Sequence, residues 1–201
     1  YVNIRSSFYS LIPENIPENL KRKLMRFYIR KLEKNPSLHD KIEFEILFTC
    51  YDFTLNKRIK ELKKYGFTER EIKKIKDNLK EFTNIIIEEF PNILNESKKS
   101  IEQLTVNRNL VHKNLIKNTN QFDKIQAIEK LLEDCKNLGT LPFSKMARIS
   151  FISSILLKTI AKDNKILKDF TENFFFIIDT PISQIQNDSE YLAIFKTTKK
   201  N

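Results

Sequence analysis

Thr68-Glu-Arg-Glu-Ile-Lys-Lys-Ile-Lys-Asp-Asn-Leu-Lys-Glu-Phe82, running on to Phe90 and Pro91, is the stretch on which the fold turns. Thr68 followed three residues later by Glu71 is a capping box, in which hydroxyl and carboxylate each take an orphan N–H of a helix's first turn. Ile72, Ile75, Leu79, Phe82, Ile86 and Phe90 then recur at three- and four-residue steps, which places them on one face of an α-helix. Pro91 cannot donate the next ladder bond, so the helix is expected to end there.

The same period extends in both directions. Upstream, Leu20, Leu24, Phe27, Tyr28 and Leu32 form a stripe behind Pro17, which suits a first turn, and stop before Asn35–Pro36. Leu55, Ile59 and Leu62 give a short helix with Gly66 as its left-handed cap. Downstream, a weaker helix is expected over 97–115, through Ile101, Leu104, Leu110 and Val111. Another runs from Phe122 to Cys135 and closes on a Gly139 cap. Residues 144–161 are apolar on most faces and carry Ala147, Ser150, Ser153 and Ser154, so they are expected to form a buried central helix containing Phe151 and Leu156. A last helix over 167–178 offers Phe170, Phe174 and Phe175 to the core before a break at Thr180–Pro181.

One stretch departs from the period. Between Glu43 and Phe53, Phe44, Ile46, Phe48 and Cys50 alternate with Glu43, Glu45, Leu47, Thr49 and Tyr51, a period of two that predicts a strand. A lone strand needs a partner, which Tyr1–Ile4 or sequence outside this chain would supply. The expected class is therefore mostly α: a compact multi-helix domain with a short β element near 43–53, residues 1–201 forming a single helical segment.

Composition narrows the chemistry. The 201 residues, 40% of them hydrophobic, suffice for a real core. Gly66 and Gly139 are the only glycines, which excludes a P-loop and a G-x-G-x-x-G turn, since both need several for close backbone approach to phosphate. Cys50 and Cys135 have no metal-ligand spacing and read as reduced thiols of a cytoplasmic protein. The apolar runs are too short and interrupted to span a bilayer, and the start lacks a signal-peptide pattern, so no membrane partner is expected. Neither a metal site nor a G-x-S-x-G, H-E-x-x-H or C-x-x-C motif occurs. The start at Tyr1 and the Lys199-Lys-Asn201 tail suggest a piece of something longer.

The net charge of +10 raises the question of nucleic acid. Lysines outnumber arginines 28 to 8, and the basic residues are not interleaved with the arginine and aromatic pattern of a reader. The densest basic stretch, Leu55 to Lys80, reads as the solvated faces of two helices. Nucleic acid is thus not the expected partner, and a basic helical nucleic-acid-binding or structural interaction module is the alternative reading.

Polar residues cluster at His39, Asp40, Lys41, Glu43 and Glu45. On a strand Glu43 and Glu45 share a face, and two like charges held together call for a cation, a proton or a donor ligand. Arg5, beside Ser6 and Ser7 in a segment without clear period, offers a guanidinium fork for a carboxylate or phosphate. Arg148, within an apolar helix, would need an acid or ligand partner if buried. Arg108 and His112, four apart, read as a solvated helix face.

Three stretches go beyond generic helical sequence: Tyr1-Val-Asn-Ile-Arg-Ser-Ser-Phe8, Leu38-His-Asp-Lys-Ile-Glu-Phe-Glu-Ile-Leu-Phe-Thr-Cys-Tyr-Asp-Phe53 and Leu131-Leu-Glu-Asp-Cys-Lys-Asn-Leu-Gly-Thr-Leu-Pro-Phe-Ser-Lys-Met-Ala-Arg148. Together they resemble the middle region of bacterial phosphoenolpyruvate-synthase-like phosphotransferases, a group that includes the L-glutamine kinases of capsular phosphoramidate biosynthesis. The resemblance implies an ATP-grasp domain before this region and a swivelling phosphohistidine domain after it in the same chain. It places ATP and Mg on those other domains and leaves no catalytic residue here. It also implies a small-molecule acceptor, in glutamine kinase the side-chain amide of L-glutamine. Neither His39 nor His112 lies in a context resembling the phosphohistidine. With acceptor binding assigned to this region, the expected contacts are Arg5, Ser7, His39, Asp40, Glu43, Glu45 and Arg148.

Overall fold

Helix α2 (Glu18–Lys34) buries Leu20, Leu24, Phe27 and Tyr28, and the core is organised around that stripe. Phe27 stacks on Phe48 with ring centres 6.0 Å apart and meets Tyr65 edge-on at 4.8 Å. Tyr28 takes Phe8 of α1 (Ile4–Leu11) edge-on at 6.4 Å, and its hydroxyl accepts a hydrogen bond from the Phe48 N–H. Such pairs add about 0.5–1.5 kcal/mol each beyond the area they bury. This computed structural model describes residues 3–117, 120–162 and 165–177, and the chain divides into two compact units, Tyr1–Leu156 and Leu157–Asn201. The described residues are helical with no strand, so the mostly α, multi-helix class holds.

In the first unit, helix α3 (Leu55–Arg58) passes into a 3-10 segment, Ile59–Tyr65, with Leu55, Ile59 and Leu62 all buried. Gly66 ends it at φ 78°, the left-handed conformation a Cβ would strain. The capping box then starts α4 (Glu69–Lys117): Thr68 N–H donates to Glu71 Oε2 at 2.8 Å and Glu71 N–H to Thr68 Oγ1 at 3.2 Å. Ile72, Ile75 and Leu79 carry α4 into the core.

The expected strand does not form. Ile42–Ile46 is a π-helical turn, and the chain beyond it is extended but unpaired with any other strand. The alternation misleads because burial there is continuous: Ile46, Leu47, Phe48, Thr49 and Cys50 are all buried. Side chains satisfy the backbone that a ladder would otherwise serve. Tyr28 takes the Phe48 N–H, Thr83 takes the Tyr51 N–H at 2.8 Å, and Arg58 donates to the Leu47 carbonyl at 2.9 Å. The proposed strand partner fails too: Asn3 caps α1 by accepting the Ser6 N–H, and Ile4 is helical, while Tyr1 and Val2 lie outside the described residues.

Pro91 does not end its helix, and the segments expected on either side of it are one. The lost bond would have gone to the carbonyl of Ile87, a residue 57% exposed, where water can serve the freed oxygen. Gly139 is not a cap either. Helix α5 (Gln121–Asp134) passes through a π-helical turn, Cys135–Thr140, into α6 (Leu141–Ile160) without a left-handed residue. A Cβ at Gly139 would sit 3.3 Å from Leu104 Cδ2, so glycine there lets the turn press against α4. Helix α6 is not the buried centre: Pro142, Ile149, Ile152 and Ile155 are buried, Phe151 and Leu156 half-buried, and Leu141 and Phe143 exposed.

In the second unit, α7 (Lys165–Ile177) stacks Phe170 on Phe174 at 6.3 Å, with both rings exposed and not in a core as expected. The Phe175 side chain and the Thr180–Pro181 break lie outside the described residues.

Candidate functional site

The polar centre of the first unit is a pair that the alternation concealed. Asp52 is 3% exposed, and its carboxylate accepts from Thr54 N–H at 2.7 Å, Thr54 Oγ1 at 2.6 Å and Arg58 Nη1 at 3.1 Å. Arg58 Nη2 donates to the Leu47 carbonyl and, at 3.4 Å, to the Phe44 carbonyl. A carboxylate buried this deeply stands only because its oxygens are paired and hydrogen-bonded. The pair fixes the turn at 44–54. Cys50 lies beside it, fully buried, and burial first, then the Asp52 charge, pushes its thiol up to about 12. A thiol that remains protonated is core filling and not a nucleophile.

The expected acceptor contacts fall into separate places. Glu43 is half-buried and Glu45 exposed on the π-helical turn, where residues two apart diverge, so the shared carboxylate face expected of a strand is lost. His39 and Asp40 are exposed, with His39 Nδ1 3.2 Å from the Pro36 carbonyl in the turn after α2. Arg148 donates to the Ser10 carbonyl at 3.3 Å and the Leu11 carbonyl at 2.7 Å, at the end of α1. Those carbonyls have no partner within their helix, and a cation complements the negative end of its dipole. The Arg148 guanidinium also lies 4.5 Å over the Phe82 ring, and burial lowers its pKa. It is half-buried, and carbonyls and an aromatic face stand where an acid or ligand would have been needed.

Arg5 is the expected residue that reaches a cavity. It sits on α1, not in an irregular segment, with Ser7 half-buried two residues on. Across from it, Arg22, Arg26 and Arg30 recur every four residues along α2, and together they line a groove of about 360 Å³ floored by Met25 and Ile29. Four of the chain's eight arginines therefore converge here. Arg22 pairs with Glu18 at 2.9 Å, and Glu18 also accepts from the Tyr9 hydroxyl. That hydroxyl and then Arg22 hold the Glu18 carboxyl below its usual range. Among the described residues, Arg5, Arg26 and Arg30 have no acid within 4.0 Å. The four-residue spacing of scarce arginines within a lysine-rich chain is the sequence signal that identifies this face.

Among the described residues no three His, Cys, Asp or Glu side chains converge as metal ligands, and no helix is long and apolar enough to cross a membrane. Compared with known proteins, the chain matches no family model, no curated protein and no solved structure.

Proposed function

We propose that this chain is the helical middle region of an ATP-dependent phosphotransferase of the phosphoenolpyruvate-synthase type, the part that presents an acceptor to a phosphohistidine. One observation carries the reading. The three stretches that resemble this group are far apart in sequence, and contacts run from two of them to residues flanking the others: Arg148, ending the third, holds the carbonyls of Ser10 and Leu11 just after the first, and Phe44 of the second packs edge-on against Phe151, three residues past the third, at 5.7 Å.

On this reading ATP and Mg belong to the flanking domains, and the acceptor class is an amino acid, with the amide of L-glutamine as the group phosphorylated. Phosphoryl transfer asks a protein mainly for position and charge neutralisation. Since Arg148 is committed to α1 and Arg5 lies in a groove that neither Glu43 nor Glu45 lines, the acceptor's ammonium is assigned to Glu43 or Glu45 and its carboxylate is left to a group of the flanking domains.

The test uses the protein with all its domains and follows two half-reactions separately: labelling of histidine by ATP and phosphorylation of L-glutamine. Glu45→Gln is expected to lower the second by about tenfold or more while changing the first by less than about twofold. Failure of the unaltered protein to take phosphate from ATP onto histidine overturns the reading, and equal losses in both half-reactions reduce Glu45 to a structural residue.

A further inference from the structure

We infer that the groove between α1 and α2 binds a small anion carrying two or more phosphoryl groups. The inference does not rest on the phosphotransferase reading. Arg22, Arg26 and Arg30 are set about 6 Å apart along the helix axis, four residues at about 1.5 Å each. Each guanidinium presents a planar fork that fits one phosphoryl group with two parallel N–H bonds. Arg5 closes the groove from α1, and half-buried Met25 and Ile29 form the apolar floor between the arginines. Guanidiniums held this close repel one another, and an anion relieves that repulsion.

Two lysines of α2 are neutralised: Lys23 is bound by Glu71 at 2.7 Å and Lys31 by Glu61 at 2.9 Å, whereas Arg5, Arg26 and Arg30 have no such partner among the described residues. Among those residues Lys21 and Lys34 lack an acid as well, but neither lines the groove. Three uncompensated arginines therefore meet at this groove. Acids also bound the stripe, with Glu18 at its start and Glu33 lining its far end. Only about 12 Å separates Arg22 from Arg30 along the axis. A long polyanion would run onto those carboxylates, whereas a short phosphate chain would not. The volume, about 360 Å³, falls in the range of small-molecule sites, roughly 300–1,000 Å³.

Titration of the chain with inorganic tripolyphosphate by calorimetry at about 0.15 M salt, where surface attraction is screened beyond about 8 Å, tests this. Saturable binding is expected, weakened about tenfold or more in Arg26→Gln/Arg30→Gln and less than about twofold in Lys73→Gln/Lys74→Gln, which removes equal charge from an exposed face of α4. Arg26 and Arg30 are exposed, so circular dichroism should be unchanged; the single Arg30→Gln variant, expected to lose about threefold, provides a second reading. Equal losses in the two double variants overturn the site in favour of general charge attraction. Orthophosphate binding as tightly as tripolyphosphate overturns the requirement for two phosphoryl groups. A twelve-nucleotide single strand binding more tightly than tripolyphosphate, and lost in the arginine variant, replaces the small anion by a nucleic-acid track.

Discussion

The two halves of α4 turn different rows toward their partners. In the first half Ile72, Ile75 and Leu79 are buried against α2 and the 3-10 segment. In the second, the row at the same three- and four-residue steps is Ser97, Ser100, Leu104, Asn107 and Val111, buried or half-buried with only Leu104 and Val111 apolar, while Ile101, Val106 and Leu110 lie off it and stay 51%, 51% and 54% exposed. Helical period reports which side chains share a face, and only the first half fills that face with large apolar ones. The first half has a partner rich in aromatic rings. The second runs beside α5, which presents half-buried Asp123, Ala127, Leu131 and Asp134 and keeps its larger side chains outward.

The largest effect should come from the aromatic core against which the first half packs. Phe27 touches Phe48, Tyr28 and Tyr65, so Phe27→Ala removes three ring contacts and leaves a cavity that the helices cannot close. A loss of about 3–5 kcal/mol is expected in urea unfolding followed by far-ultraviolet circular dichroism. A loss below about 1 kcal/mol would mean that this cluster is not the core and that the contrast between the halves has been drawn in the wrong place.

Pro91 lies beyond the part of α4 that enters the aromatic core, and an intermediate effect is expected there. Proline within a helix disfavours it by about 3 kcal/mol relative to alanine. Because Pro91 is exposed, Pro91→Ala restores a hydrogen bond without disturbing packing. Amide exchange around residues 87–95 should slow by an amount equivalent to about 2 kcal/mol of local stability. Unchanged exchange would show that packing, and not the backbone ladder, limits opening in this half.

The same contrast explains what could be read from the sequence. The capping box at Thr68 and Glu71, the Gly66 cap and the α2 stripe are local devices, set by residues within a few positions of each other, and they stand as expected. What failed depends on distant partners. The 43–53 stretch lost its strand because Tyr28, Arg58 and Thr83, from other parts of the chain, took up its backbone groups. Arg148 was legible as a cation in an apolar helix that would need a partner if buried, but its partners at Ser10 and Leu11 lie 138 and 137 residues away. The arginine groove was legible in spacing along α2, while its closure by Arg5 required the packing of α1. Of the candidate acceptor residues, their chemistry could be read, but not their separation.

The smallest effect belongs to the outer row of α5, and it tests the comparison most directly. Ile128 and Leu132 are 58% and 67% exposed, and a groove of about 400 Å³ between Val111 of α4 and Ala127 of α5 shows how loosely even the inner rows meet. Ile128→Ala removes apolar surface that folding leaves in water, and alanine is the better helix former, so stability should change by less than about 0.5 kcal/mol. The substitution should also leave the slope of the urea transition unchanged, since no additional surface is exposed on unfolding. A loss of 2 kcal/mol or more, on the order of a buried methylene cluster, would mean that something in solution covers this row. A dependence of that loss on protein concentration would identify the cover as a second copy of the chain. A concentration-independent loss would place it within the same chain.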